Sequence, residues 1–470
     1  MKKKLLAILL TGAMIFSVFA LVGCGNDTPP AAEDTQVAEE TPADANGAAE
    51  DAQATEETPT DANGAAGEEQ PFAGVRIELW RPGVTAATAD EETDHDRRVR
   101  VLYDYIREVM GIDLVVELTP FAAYDDRSSI ALASGTGPDV VQVNSVTLAT
   151  FAHLGYLQET AHLMDASSLS RDEFFPGIWQ HVIYNDREWG LPLDTGSRAV
   201  IYNVDLLAES GITLGDRTSW DDFLAATVAV TQPGDGTTDV FGYSFRGGEP
   251  WGFLYEGLGM FVLQNDGHFL SPDRLSGNFS SPEVLEAARV LVELQDSGVV
   301  PRDAITFIDD DTTMALFMSG RLGMFTGGFW SLDQVLENNP DFEVGVTLLY
   351  NTTIGSSSGG WVLGLANRLD NPEAAWAMLE LIYEPNNLIS FTSSIMPATF
   401  AAVEVVDTDP LHELFYEVLP VATHPIAINR HLPEIAQMVN DQMQRILLHE
   451  ISLEDGMAEL DASVTALLQR

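Results

Sequence analysis

Val75-Arg76-Ile77-Glu78-Leu79-Trp80, then Val99, Leu102, Ile106 and Val109, then Ile112-Asp113-Leu114-Val115-Val116-Glu117-Leu118 together decide the fold. The first hexapeptide alternates and is rich in β-formers, so it reads as a strand. The apolar residues after it recur every three or four positions, and Gly111 supplies a helix stop. Residues 112–118 form a second strand, 128–133 a short helix, and Asp139-Val140-Val141-Gln142-Val143 a third strand. Strands separated by helices in this way call for parallel neighbours joined by right-handed crossovers. The fold class is α/β.

Downstream, amphipathic helices are expected at 282–295, 312–319, 372–383 and 433–449, and Trp361-Val362-Leu363-Gly364-Leu365 reads as a strand. Each helix opens on a proline or on a capping Asp, Ser or Thr. Asp309-Asp310-Asp311 fits that capping role; a calcium loop would need further oxygen ligands at fixed spacing, which do not follow. The chain has 470 residues, 45% of them apolar and 22 of them Phe, enough for two or three domains with real cores. A formal charge of −49 argues against a nucleic-acid partner. The single cysteine excludes an intrachain disulfide and a multi-thiolate metal site.

That cysteine closes the N-terminal segment. Lys2, Lys3 and Lys4 precede an apolar run from Leu5 to Val22, which leads into Leu21-Val22-Gly23-Cys24. A basic n-region and a short apolar h-region make a secretory signal, although the run is also just long enough for an uncleaved anchor. Leu-Val-Gly-Cys resembles the lipobox of bacterial lipoproteins, which implies a signal peptide over 1–23 and a lipidated Cys24. Residues 25–71 hold 13 acidic and no basic residues, and Glu39 to Ala49 recurs as Glu56 to Ala66 with Thr60 in place of Ala43. Such a segment cannot bury apolar area and reads as a solvated tether over 24–71, spanning on the order of 40 Å as a coil. Removal of the signal leaves 20 arginines, no lysine and 72 acidic residues, a charge of −52. Anionic lipid would repel that body, so the lipid chain must hold it at the membrane.

From residue 72 to the C-terminus the chain resembles the extracellular solute-binding proteins of family 1, the group that includes maltose-binding protein. An ordered series of motifs carries the likeness. Ala133 to Val141 is similar to a loop leading into a strand, and Leu154-Gly155-Tyr156-Leu157-Gln158 with Leu163-Met164-Asp165 to a GxLxxL segment. Trp189-Gly190-Leu191-Pro192, Ile201 to Leu207 and Thr218 to Phe223 form the most specific block. Phe317 to Phe325 with Trp330, Pro372 to Trp376, and a helix pair opening at Ser452 complete it. The resemblance implies a type II, two-lobed periplasmic-binding-protein-like fold, each lobe a mostly parallel sheet flanked by helices and joined by hinge strands. Lobe I is expected over 72–193 and 355–395, and lobe II over 194–354 and 396–470, with crossings near Asp194, Gly355 and Met396-Pro397. Ligand would sit between the lobes and be gripped by a hinge closure.

Sugars offer flat C–H faces to aromatic rings and hydroxyls to polar groups. Trp220 and Trp376 lie on helices and read as core; Trp189 reads either way. Trp80 ends the first strand, where parallel sheets present ligand loops. Trp251, with Tyr255, lies in an aromatic patch similar to a cleft segment of maltose-binding protein. Trp330 ends Gly327-Gly328-Phe329-Trp330, where the family commonly places a sugar-stacking ring, and Trp361 opens a hinge strand. Arg81, Asn144, Asp194, Thr195 and Arg430 follow strands or lie at crossings and are the polar candidates. The helix from Ile435 to His449 lacks the aromatic that maltose-binding protein carries there, which argues against maltodextrin itself.

Gly355-Ser356-Ser357-Ser358-Gly359 matches G-x-S-x-G, but the serines precede a strand, whereas the nucleophile elbow needs a helix after them, so a flexible hinge loop is expected. The nine histidines never fall at zinc-enzyme spacing. No catalytic residue, metal or cofactor is therefore expected. The reading is a monomeric, membrane-tethered carbohydrate-binding lipoprotein of an ABC importer, with permease subunits as partners, on the extracytoplasmic face of the cell membrane. A ligand presenter for a membrane sensor, or a secreted glycoside-active enzyme, are the alternatives.

Overall fold

The structure, a computed structural model, describes residues 70–83, 93–236, 238–249, 251–392, 396–406 and 409–470. The signal peptide, Cys24 and the tether up to residue 69 lie outside the described residues. Among those described, no helix is long and apolar enough to cross a membrane.

Two five-stranded sheets organise the chain. The first contains β1 (Arg76–Pro82), β2 (Asp113–Thr119) and β3 (Val140–Asn144), and a short hairpin of β4 (Ile183–Tyr184) and β5 (Arg187–Glu188) follows beside it. Next come β6 (Leu191–Pro192), the two-residue β7 (Asp194–Thr195) and β8 (Arg198–Asn203). The second sheet adds β9 (Arg217–Ser219), β10 (Phe241–Ser244), β11 (Leu322–Gly328) and β12 (Val344–Tyr350) to β8. The chain then returns to the first sheet as β13 (Trp361–Leu365) and touches the junction once more as β14 (Met396–Pro397). The strand orders are β2-β1-β3-β13-β6 and β10-β11-β8-β12-β9.

The α/β class holds, and the sheets are mixed where mostly parallel ones were expected. In the first, β1 runs parallel to β2 and β3, while β13 is antiparallel to β3 and β6. In the second, the outer pairs are parallel and β8 is antiparallel to both neighbours. The cause is the crossing itself. A strand that arrives from the other lobe enters against the local direction, without a helical crossover to turn it round.

Side chains alternate as the pleat requires. Ile77 and Leu79 face a core containing Ile106 and Met110, whereas Trp80, Val141 and Val143 face Tyr124, Leu148 and Phe151. The first helix, Asp94–Met110, is longer than its apolar repeat suggests because Thr93 and Asp96 form a capping box, and Gly111 ends it at φ 75°. Its buried stripe runs through Val99, Leu102, Ile106 and Met110; Val109 is exposed. The helix expected at 128–133 occupies Phe121–Ser134. Helices Pro282–Asp296, Asp310–Met318, Pro372–Ile382 and Leu432–Leu447 match the expected positions to within a turn, and Ser452 caps a last helix, Leu453–Leu468. Asp309 caps its helix, accepting from the Thr312 amide at 2.9 Å and the Thr312 hydroxyl at 2.6 Å.

The candidate binding junction

Three crossings connect the sheets: Asp194–Thr195 leading into β8, residues 351–360 between β12 and β13, and Met396–Pro397. The first and third pair as an antiparallel ladder, and Gly196 bridges to Gly359 of the second. Buried serines and threonines lock them together. The Thr195 and Ser358 hydroxyls lie 3.0 Å apart, and Ser356 Oγ accepts from the Arg198 amide at 2.7 Å. Ser357 Oγ donates to the Tyr255 carbonyl at 2.7 Å. The G-x-S-x-G serines are thus neither a nucleophile elbow nor the loose loop expected of them. The hydroxyls of Ser356 and Ser358 hold this crossing to the first, that of Ser357 ties it to the helix Gly252–Tyr255, and no histidine partners them.

Trp330 stands at this junction, partly exposed at the start of helix Phe329–Glu337. Its six-membered ring packs closely against two glycines. A Cβ on Gly196 would come within 2.5 Å of the indole and one on Gly328 within 2.2 Å, so neither position has room for a side chain. The Arg198 guanidinium lies over the same indole at 4.9 Å and over the Tyr255 ring at 4.8 Å. Arg198 Nε donates to Glu256 at 3.0 Å, and Nη1 donates to the Gly196 and Ser357 carbonyls at 3.1 and 3.3 Å. Glu256 also pairs with Arg246 at 3.3 Å, which reaches Asp310 at 3.5 Å. Burial raises Asp310 to about 6 despite the nearby Arg246 charge.

Asp194 is only 1% exposed. Its Oδ1 accepts the Trp361 amide at 2.8 Å, and Oδ2 has no hydrogen-bond partner. Burial pushes this carboxyl up to about 8, against the pull of the Trp361 amide and the Arg81 charge. Opposite the second crossing, the Tyr255 hydroxyl bonds His424 Nε2, and His424 meets His181 edge-on at 6.3 Å between ring centres. Burial holds His424 down to about 3, helped by His181, and His181 down to about 4, helped by Arg198. Burial likewise raises the Tyr255 phenol.

The other candidates divide. Trp361 is partly exposed beside Tyr124, with ring centres 6.1 Å apart, and pairs with Asn144 across the sheet. Asn144 Oδ1 is occupied as the cap of helix Ser145–His153, accepting from Val146 at 3.0 Å. Arg430 donates from Nε to His431 at 2.9 Å, and its Nη1 lies 2.9 Å from Nε2 of His153 at the end of helix Ser145–His153. Trp251 packs, partly exposed, on the second core. Two expectations are corrected in place. Trp80 is buried beneath Phe121–Ser134, with Nε1 donating to Glu78 at 2.7 Å, because the pleat turns it toward that helix and not toward the strand end. Arg81 is spent inside the first lobe on Gln142, Tyr103 and the Phe391 carbonyl, at 3.0, 2.8 and 2.7 Å. Trp220 and Trp376 are buried in the two cores.

Asp194, Thr195, Tyr255, Trp330 and Trp361 therefore gather at the crossings, and Arg198, Glu256, His181 and His424 join them without having been singled out. An arginine heading the apolar run Ala199-Val200-Ile201-Tyr202 was the available signal for the first of these. The arrangement offers a partly exposed indole beside backbone and hydroxyl groups, with its buried arginine paired to a carboxylate, which suits a polar, uncharged guest with a flat apolar side.

A family model described as "Bacterial extracellular solute-binding protein" matches residues 105–412. A putative binding protein of Brucella abortus is 23% identical over 366 residues, covering 75% of this chain and 86% of its own length. A solute-binding protein of an ABC transporter from Thermotoga lettingae, solved with α-D-tagatose, superposes with a TM-score of 0.71 at 24% identity, covering 84% of this chain and all of that one. The sugar-binding protein MalE of Xanthomonas citri gives a TM-score of 0.70 at 18% identity, covering 84% and 98%.

Proposed function

Since the chain belongs to the bacterial extracellular solute-binding proteins, we propose that it captures a carbohydrate between its two lobes, 72–193 with 355–395 and 194–354 with 396–470, and delivers it to the permease subunits of an ABC importer. The observation that carries this reading is Trp330, a partly exposed indole packed close to glycine where the crossings meet, of the ring type that takes the apolar face of a pyranoside or polyol. Asp194, Thr195, Tyr255, Trp361 and its cross-strand neighbour Asn144 border the same junction, and Arg430 is the remaining polar candidate. Structural neighbours solved with α-D-tagatose and with maltose support the ligand class. The protein performs no chemistry in this reading; its work is differential binding, since only contacts made with both lobes favour closure. An importer must let its cargo go, so affinity is expected near micromolar, about −8 kcal/mol.

The anchor follows from the sequence. Cys24 would carry lipid, the acidic tether would give the body reach, and the mature protein would work as a monomer at the extracytoplasmic face of the membrane. Cys24→Ala is expected to release the protein from the membrane fraction; retention would refute the anchor. For the ligand, the test is a thermal-shift panel including D-tagatose, erythritol and maltose, followed by calorimetry. A saccharide at 100 times its Kd should stabilise the protein by about 2.7 kcal/mol. A flat response across mono- and oligosaccharides would defeat the carbohydrate assignment.

A further inference from the structure

We propose that Arg198 is a positioning residue: it sets the plane of Trp330 and ties two lobe crossings to that plane, so that grip on the ligand depends on an arginine that need not touch it. The inference rests on the reading of Trp330 as the ligand platform.

Arg198 follows directly on the first crossing, and its guanidinium bonds one carbonyl from that crossing (Gly196) and one from the second (Ser357) through the same Nη1. Its amide and carbonyl are both bonded to Ser356 Oγ, at 2.7 and 3.0 Å. Nε is fixed by Glu256 at 3.0 Å. Nε and Nη1 thus fix the fork on two of its edges, and the guanidinium carbon lies over Tyr255 and Trp330 at 4.8 and 4.9 Å. The indole is confined by Gly196 and Gly328 on its other contacts. Rotation of Trp330 therefore requires movement of the guanidinium, and movement of the guanidinium disturbs carbonyls on two crossings. Lysine could keep the charge but could neither stack as a plane nor bond three acceptors in a fixed fork. Glu256 is the second member of the device, because it alone anchors Nε.

The test labels the full chain with 5-fluorotryptophan and identifies the Trp330 fluorine resonance by its loss in Trp330→Phe. In Arg198→Lys the Trp330 line is expected to shift or broaden by exchange while the lines of tryptophans remote from the junction stay in place. Glu256→Gln, which keeps the shape and weakens the anchor, should move the same line in the same direction, and serves alone should Arg198→Lys fail to fold. A folded variant with an unmoved Trp330 line overturns the proposal. A line that moves while affinity for a saccharide bound by the parent, D-tagatose or maltose, falls less than threefold also overturns it, since positioning would then be irrelevant to grip. A loss of at least fivefold, with the melting temperature within a few degrees, supports it. If the line moves but no saccharide binds even the parent, the carbohydrate reading fails and the control of Trp330 by Arg198 stands.

Discussion

Arg198 and Asp194 lie four residues apart on one crossing, both almost wholly withdrawn from solvent, and their neighbours treat them in opposite ways. Around Arg198, Nε and Nη1 have three acceptors between them, a carboxylate balances the charge, and two aromatic rings lie 4.8 and 4.9 Å from the guanidinium carbon. Around Asp194 one oxygen is bonded and the other is not, and burial keeps the proton on at neutral pH. His181 and His424 resemble Asp194 in this respect, held neutral by burial instead of being charged and paired. One flank of the junction is a braced scaffold; the other stores polar groups in a state that proton activity can alter. A hinge needs both, a part that keeps its geometry and a part whose free energy is poorly balanced.

The braced flank breaks most violently at its carboxylate. Glu256→Ala leaves Arg198 and Arg246 buried without their shared partner and is expected to cost about 3–5 kcal/mol in urea denaturation. Next comes Trp330→Ala, expected to weaken saccharide binding at least tenfold, ~1.4 kcal/mol, with little change in melting temperature. Calorimetry checks it, and unaltered affinity would remove Trp330 from the site.

The loosely satisfied flank should appear in the pH profile. Asp194 titrates near 8 in the folded chain and near 3.8 unfolded, so between these values the folded state keeps a proton that the unfolded state has released. Stability from this group therefore falls as pH rises through that window. For His181 and His424 the folded values, about 4 and 3, lie below the unfolded 6.5, so their contribution is complete above 6.5 and is lost as pH falls toward 4. Together they place the stability maximum near pH 6.5. Asp194→Asn should flatten the decline between pH 6.5 and 8, a matter of a few degrees in melting temperature, and leave the acid limb intact. Smallest is Ser358→Ala, which removes one hydroxyl bond between crossings and is expected to cost about 1 kcal/mol.

The strands and helices were legible because their signals are local. Ile77, Leu79 and the stripe from Val99 to Ile106 declare their period within a dozen residues, and Asp309 or Ser452 marks its helix by type alone. Trp330 was singled out by the likeness of its Gly-Gly-Phe-Trp setting to the family's, and it lies beside Gly196 of the first crossing. Arg198 was not, since its partners, Glu256 and Trp330, lie 58 and 132 positions away and only the folded second sheet assembles them. Trp80 and Arg81 misled for a related reason. Position at a strand end is readable, but the face and the internal acceptors that claim a side chain are set by pleat and by distant chain, such as the Phe391 carbonyl.

The strand Trp361–Leu365 lies between β3 and β6 in the first sheet, and Trp361 faces Asn144 across 217 positions of chain. A polypeptide made from its N-terminus thus carries an unfinished sheet edge until most of its length has been synthesised. Ring closure over such a span comes late and slowly. The first sheet therefore cannot be completed until residues 361–365 have been made.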